Sequence, residues 1–429
     1  MPSLLSFLRE RGCLHDVSHY EELERELESG PVTLYCGIDP TADSLHVGHM
    51  LPLLIMRHFQ ARGHRPIVLL GAATGMIGDP SGKSEERKLL DEATLQHNVS
   101  HLEKQIRRFL SGAGMSAFTL VSNDEWLKPI RYLDFLREFG KHFSVNAMLT
   151  KESVRNRLEN RDQGISYTEF SYMLLQAYDF YWLHNEHGCR LQVGGSDQWG
   201  NITAGLELIR RKAAGTQLAV FGATFPLLTT SSGGKFGKTE QGAVWLDPER
   251  TSPYQFFQYW YNTADADVIR YVMLFTDAAD EKITRLEAEL AARPEARVPQ
   301  EYLAGTLTAL VHGDEEAERA AAASKVLFGE WPRGADSRLL QEVLGDVPAS
   351  QLTRSELGTG IAVDELLVRC GITPSKGAAR RLISGGGLYI NNQRQNENGA
   401  VIDAAEFIDG TLLVIRTGKR NYHLLRLEN

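Results

Sequence analysis

Leu34-Tyr35-Cys36-Gly37-Ile38-Asp39-Pro40-Thr41, followed four residues later by His46-Val47-Gly48-His49, decides how the first half of the chain is read. The apolar run Val32 to Ile38 has the length of a buried strand, and Asp39-Pro40-Thr41 turns the chain. From Val47 to Arg62 the apolar residues keep a helical pattern, so the two imidazoles sit one turn apart at the start of a helix. Helix N-termini attract phosphate, Gly48 lets a flat base or a backbone approach, and imidazole nitrogens donate to phosphate or ribose oxygens. A histidine pair on a surface helix or a chance metal site is the plainer reading of the same four residues.

Working outward, strand-like runs and helical patterns alternate: Ile67 to Leu70, Leu95 to Leu110, then Phe118 to Val121. Such alternation predicts a parallel α/β sheet. After a helix-rich stretch, Arg190 to Val193 meets Gly194-Gly195, with Ser196 able to cap a helix running through Arg211, so the sheet resumes after a helical insertion. From Ser252 to Leu344 the pattern is helical and acidic. A polar stretch at Pro348 to Gly360 reads as a linker, and Ile361 opens a small α/β unit.

At 429 residues the chain has room for two to four domains. Its net charge of −9 argues against indiscriminate coating of nucleic acid. The charge is uneven, however: residues 351–429 carry ten Lys/Arg against eight Asp/Glu, leaving −11 for the rest, which predicts a different partner surface at that end. The longest apolar stretches, such as Met50 to Met56, fall far short of the roughly 18 residues that cross a bilayer, and no leader pattern precedes them, so a cytoplasmic location is expected. Cys13, Cys36, Cys189 and Cys370 lie far apart, without zinc spacing, and read as reduced thiols.

Two further clusters could hold phosphate. Gly233-Gly234-Lys235-Phe236-Gly237-Lys238-Thr239 is a glycine-rich basic loop whose lysines could neutralise polyphosphate. It misses the P-loop pattern because Ser232 stands at the first glycine position, and Gly82-Lys83-Ser84 misses it through Ile77. A mobile surface loop is the competing reading. Between the clusters, the small residues of Gly71-Ala72-Ala73-Thr74-Gly75 admit a ligand at a sheet edge or make a tight turn, and Asp79, Lys83 and Arg87 add binding chemistry.

Together these residues resemble the class I aminoacyl-tRNA synthetases, and among them the bacterial tyrosyl-tRNA synthetases. His46-Val47-Gly48-His49 is similar to the HIGH signature, and Lys235-Phe236-Gly237-Lys238-Thr239 to the KMSKS loop in its tyrosyl form. The strings Leu34 to Leu45, Phe170 to Phe180 and Gly194 to Ile202 carry the likeness further. Ala362 to Ile390, with Ser375 to Ile383 inside it, resembles the S4-type RNA-binding domain, a small structural α/β appendage being the plainer reading. The resemblance implies a Rossmann-like catalytic domain at 1–228 with a helical dimerisation insertion near 123–159 and a KMSKS-type loop region at 229–250. An α-helical anticodon-arm domain at 251–347, a linker at 348–360 and an S4-like α/β domain at 361–429 would follow.

It also implies roles. Thr41, His46, Lys83, Arg87, Lys235, Lys238 and Thr239 would surround the ATP triphosphate, and Cys36, Gly37, Asp39, Gly48, His49 and Asp197 would hold the rest of the nucleotide. Tyr35 and Asp179 would meet the substrate phenol, Asp79, Tyr172 and Gln176 its ammonium group, and Gln198 its carboxylate. Tyr35 and Asp179 as a purely structural pair is the alternative. The implied partners are L-tyrosine, ATP and tRNA(Tyr), in a homodimer, with Mg2+ riding on ATP and no dedicated protein metal site. Arg210-Arg211-Lys212 would meet the acceptor stem, or else simply complement a helix end. A tryptophanyl-type synthetase and a catalytically dead synthetase-derived RNA-binding protein are the rival readings.

Overall fold

The computed structural model of the chain describes residues 2–81, 90–111, 116–159, 164–213, 218–231, 233, 236–239, 242–326, 336–345, 347–418 and 421–428. They form two compact units, one of residues 1–252 with 261–311, the other of 253–260 with 312–429.

In the first unit, β1 (Thr33–Ile38), β2 (Arg65–Leu70), β3 (Thr119–Ser122), β4 (Cys189–Gly195) and β5 (Phe221–Phe225) make one parallel sheet in the order β3-β2-β1-β4-β5. The central strands are nearly continuous apolar runs because helices cover both faces of such a sheet. β5 escaped the sequence reading, being a five-residue strand with a glycine inside it. The chain runs outward from β1 to β2 and β3, then returns to the other side of β1 as β4. That reversal leaves a crevice at the carboxyl ends of β1 and β4.

Helix Met50–Ala61 is apolar nearly all round and buried, with Pro52 tolerated in its first turn. Helix Glu92–Leu110 begins where Asp91 accepts from the Thr94 amide at 2.7 Å, and it buries Leu95, Leu102, Ile106 and Phe109 as one stripe. Helix Tyr167–His187 is capped by Ser166 and ended by Gly188 at φ 60°. It packs on helix Trp199–Lys212. Ser196 does not cap that second helix: the chain leaves β4 through a 3₁₀ turn, Ser196–Gln198, which instead sets Asp197 and Gln198 on the crevice.

The helices expected over 251–347 are present and are shared between the two units. In the second unit a five-stranded sheet runs Gln393–Gln395, Leu388–Ile390, Leu412–Thr417, Asn421–Glu428, Ala349–Thr353, antiparallel except for its last pair. The stretch read as a linker is therefore built into this sheet, because the alternate residues of Ala349–Thr353 bury Leu352 beside Leu425 and Leu427. Helices Val363–Arg369 and Lys376–Ser384 close the core through Leu366, Leu367 and Ile383.

At the start of helix Tyr167–His187, Glu169 takes two hydrogen bonds from the Arg157 guanidinium, at 2.7 and 2.6 Å, with both side chains buried. Removing one partner strands the other charge in a dry environment. Glu169→Met alone is expected to destabilise the protein by about 3–5 kcal/mol, and the double change Arg157→Met/Glu169→Met to recover most of that loss. Urea unfolding of the three proteins measures it.

Candidate active site

A cavity of about 470 Å³ opens at the crevice between β1 and β4. Tyr35, Cys36, Gly37, Asp39, Thr41, His46, Gly48, His49, Asp79, Tyr172, Gln176, Asp179, Asp197 and Gln198 all line it. Lys83, Arg87 and Lys235 lie outside the described residues. Lys238–Thr239 is placed by its backbone, as a short antiparallel ladder with Gly242–Ala243.

The inner end is built around one buried carboxyl. Asp179 is 2% exposed; its Oδ1 accepts from Trp126 Nε1 at 2.7 Å and its Oδ2 from Asn123 Nδ2 at 3.1 Å. Burial outweighs those donors and pushes its pKa up to about 8. Asn123 Nδ2 also donates to Thr74 Oγ1 at 3.0 Å, and its Oδ1 accepts from the Ala73 amide at 2.8 Å. Thr74 in turn donates to Asp39 Oδ1 at 3.1 Å, while Tyr172 donates to Asp39 Oδ2 at 3.1 Å. Gly71 is obligatory here, since a Cβ on it would lie 2.1 Å from Asp39 Oδ1. Tyr35 is 1% exposed, and among the described residues its hydroxyl has no hydrogen-bond partner. A buried hydroxyl in that state is costly until something fills it.

Midway along the cavity, Asp79 accepts from the Ser81 amide at 3.0 Å and from Gln198 Nε2 at 2.7 Å. Asn201 Nδ2 donates to Gln176 Oε1 at 2.9 Å and to Gln198 Oε1 at 3.2 Å. Tyr172, Gln176 and Asp179 project from one face of helix Tyr167–His187, as spacings of four and three require.

At the mouth, His46 Nδ1 accepts from the Gly48 amide at 3.0 Å, and His49 Nδ1 accepts from the His46 amide at 3.2 Å. The rings lie 4.1 Å apart. Burial, with His46 adding to it, drives the His49 pKa down to about 3, so that imidazole is neutral. A three-residue bridge joins this turn to the segment after the glycine-rich loop: Val47 N donates to Val244 O at 3.0 Å and Leu246 N to Leu45 O at 2.8 Å. Gly237 adopts φ +78°, and a Cβ there would come within 2.8 Å of Val47 Cγ2. Phe236 stacks on Phe275 at 5.5 Å, which anchors the loop to helix Asp265–Phe275.

Thr74, Ser81, Asn123, Trp126 and Asn201 were missed from sequence. Asn201 lies inside one of the family-like strings, and Thr74 and Ser81 inside the small-residue segment after β2. Asn123 and Trp126 follow the carboxyl end of β3, where an open sheet gathers its ligand contacts, and that position was the signal available. Of Arg210-Arg211-Lys212, Arg211 is engaged with Glu207 and His142 O, and Lys212 lies over the Phe139 ring. Among the described residues no group of three or more His, Cys, Asp or Glu side chains is arranged to hold a metal ion.

Residues 27–329 match the family model described as tRNA synthetases class I (W and Y), and residues 340–425 match the Tyrosine--tRNA ligase SYY-like C-terminal domain. A Tyrosine--tRNA ligase of Opitutus terrae is 50% identical over 427 residues, covering 99% of this chain and 100% of that one. One of Geobacillus stearothermophilus is 47% identical over 424 residues, 99% of each. Among solved structures, a C-terminally truncated mitochondrial tyrosyl-tRNA synthetase of Aspergillus nidulans superposes with a TM-score of 0.69 at 33% identity, over 76% of this chain and 95% of that one. The chain therefore belongs to the tyrosine--tRNA ligases of the class I tRNA synthetase family.

Proposed function

We propose that this protein activates L-tyrosine with ATP and transfers it to tRNA(Tyr), with the side-chain choice made by Tyr35 and Asp179. The observation that carries the reading is the Tyr35 hydroxyl, buried with no partner among the described residues in a cavity that Asp179 also lines. A substrate phenol donates to Asp179 and accepts from Tyr35; phenylalanine leaves the buried Tyr35 hydroxyl without an acceptor and gives Asp179 nothing beyond its bonds from Trp126 and Asn123.

The ammonium group then meets Asp79, Tyr172 and Gln176, and the carboxylate lies near Gln198. One carboxylate oxygen attacks the α-phosphorus of ATP: the carboxyl-oxygen-to-phosphorus bond forms as the bond to the β-phosphate oxygen breaks, and pyrophosphate leaves with the electron pair. Thr41, His46, Lys83, Arg87, Lys235, Lys238 and Thr239 act on the triphosphate by charge and position, with no covalent enzyme intermediate. Cys36, Gly37, Asp39, Gly48, His49 and Asp197 face the rest of the nucleotide. A terminal ribose hydroxyl of the tRNA next attacks the tyrosyl carbonyl, releasing AMP. Mg2+ brought in with ATP would take its oxygens from the phosphates.

The 1–228 region serves as catalytic domain with its loop at 229–250; the helices of 251–347 and the S4-like 361–429 unit take the tRNA. Engagement of Arg211 and Lys212 within the chain leaves Arg210 as the member of its triplet best suited to acceptor-stem phosphate. Tyr132, Leu133, Val145, Leu149, Leu158 and Tyr167 are exposed, Leu133 by 76%, and this apolar cluster within and beside the 123–159 insertion supports a homodimer. No described helix is long and apolar enough to cross a membrane.

Pyrophosphate exchange into ATP without tRNA is expected with tyrosine and not with tryptophan or phenylalanine; exchange with no amino acid would end the reading. Tyr35→Phe removes one donor, so KM for tyrosine should rise up to about tenfold and discrimination against phenylalanine should shrink. Asp179 binds its proton more tightly folded, near pH 8, than its ordinary value of 3.8. Its contribution to stability is thus complete below the ordinary value and is lost as pH rises towards 8. Wild type should lose stability relative to Asp179→Asn between pH 5 and pH 8 in thermal melts; a constant difference would show an ordinary carboxyl. Leu133→Asp should shift sedimentation from dimer to monomer at micromolar concentration, and a wild-type monomer would refute the dimer.

A further inference from the structure

The loop that leaves β1 and ends at His46 is held at both ends by one helix. On helix Glu92–Leu110, buried Asn98 donates through Nδ2 to Pro40 O at 2.8 Å. Seven residues on, Gln105 Oε1 accepts from the Leu45 amide at 2.8 Å, and its Nε2 donates to Ser44 Oγ at 3.2 Å. Two helical turns separate the pair, so both side chains reach the loop from one face. A backbone carbonyl and a backbone amide that the loop's own fold leaves unpaired are thereby answered. The Ser44 hydroxyl also accepts from the Asp247 amide at 3.2 Å, tying the held loop to the segment beyond Gly242–Ala243. Thr41 lies between the two anchors and His46 immediately after the second, and both line the cavity.

We propose that Asn98 and Gln105 are positioning residues for adenylate formation, holding the Pro40–Leu45 loop so that Thr41 and His46 meet the phosphates. The inference rests on the roles given above to Thr41 and His46. Neither Asn98 nor Gln105 lines the cavity; Asn98 acts through Pro40 O, and Gln105 through the Leu45 amide and the Ser44 hydroxyl. Small displacements of positioned groups are expensive in rate, because the loop's reach to a charged transition state is set in advance.

The test compares single-turnover adenylate formation with equilibrium tyrosine binding. Gln105→Met keeps length and loses the acceptor; Gln105→Glu keeps the acceptor; Asn98→Asp keeps shape and loses the donor. Gln105→Met and Asn98→Asp should each slow adenylate formation by about ten- to a hundredfold. Tyrosine Kd should stay within about twofold, and Gln105→Glu should return the rate to within about threefold of wild type. Unchanged rates in Gln105→Met and Asn98→Asp would overturn the proposal, as would a tyrosine Kd that rises in step with the lost rate, or a Gln105→Glu as slow as Gln105→Met. Thr41→Ala separates the two levels. If it leaves adenylate formation at the wild-type rate, the reading of the loop has failed; if it slows the step while Gln105→Met does not, only the positioning inference has.

Discussion

A carboxyl as deeply buried as Asp179 has to be answered by donors, and the inner site is arranged around supplying them. Trp126 and Asn123 come from beyond β3, Thr74 from beyond β2, and Asp39 from the end of β1, while Asp179 and Tyr172 come from a helix packed across the crevice. Each of these side chains satisfies another, so none can be placed without the rest. Such a network tolerates little substitution, since losing one donor leaves a desolvated acceptor behind. Among the described residues the Tyr35 hydroxyl is left without a partner, and Tyr35 lines the same cavity as Asp179.

The mouth of the cavity is held by backbone more than by side chains. His46 and His49 spend their Nδ1 atoms on the amides of their own turn, which orients both rings. The bridge between Leu45–Val47 and Val244–Leu246 makes the turn and the segment after the glycine-rich loop one structural piece. Val244 N also donates to Gly237 O at 3.1 Å, which brings the loop's own glycine into that piece. Phe236, where the general signature has methionine, gains an aromatic stack on Phe275 that a flexible side chain would not replace in kind.

Much of the architecture was legible because it depends on local pattern. Apolar runs of strand length located β1 to β4 to within two residues or so, and Ser166 and Gly188 bound the site helix by rules any chain obeys. The residues of the cavity were named from the resemblance of short strings, whereas the shared face of Tyr172, Gln176 and Asp179 follows from their spacing once helix Tyr167–His187 is known. Ser196, by contrast, had the right chemistry for a cap and does not serve as one, because a 3₁₀ turn intervenes and puts Gln198 at the N-cap position. Residues 349–353 looked like polar linker because a short strand at one edge of a sheet needs few apolar side chains.

The class of fold, the capped helix Tyr167–His187 and the two glycine-containing motifs are written in residues close together along the chain, and the amino-acid sequence determines them without help from distant segments. Tertiary structure alone decided which distant groups pair: Asn123 and Trp126 with Asp179, Asn98 and Gln105 with the loop after β1, Arg157 with Glu169. A buried polar side chain is satisfied by whatever the fold brings within about 3 Å. That neighbour lies dozens of residues away in most of these pairs, and no local propensity encodes it.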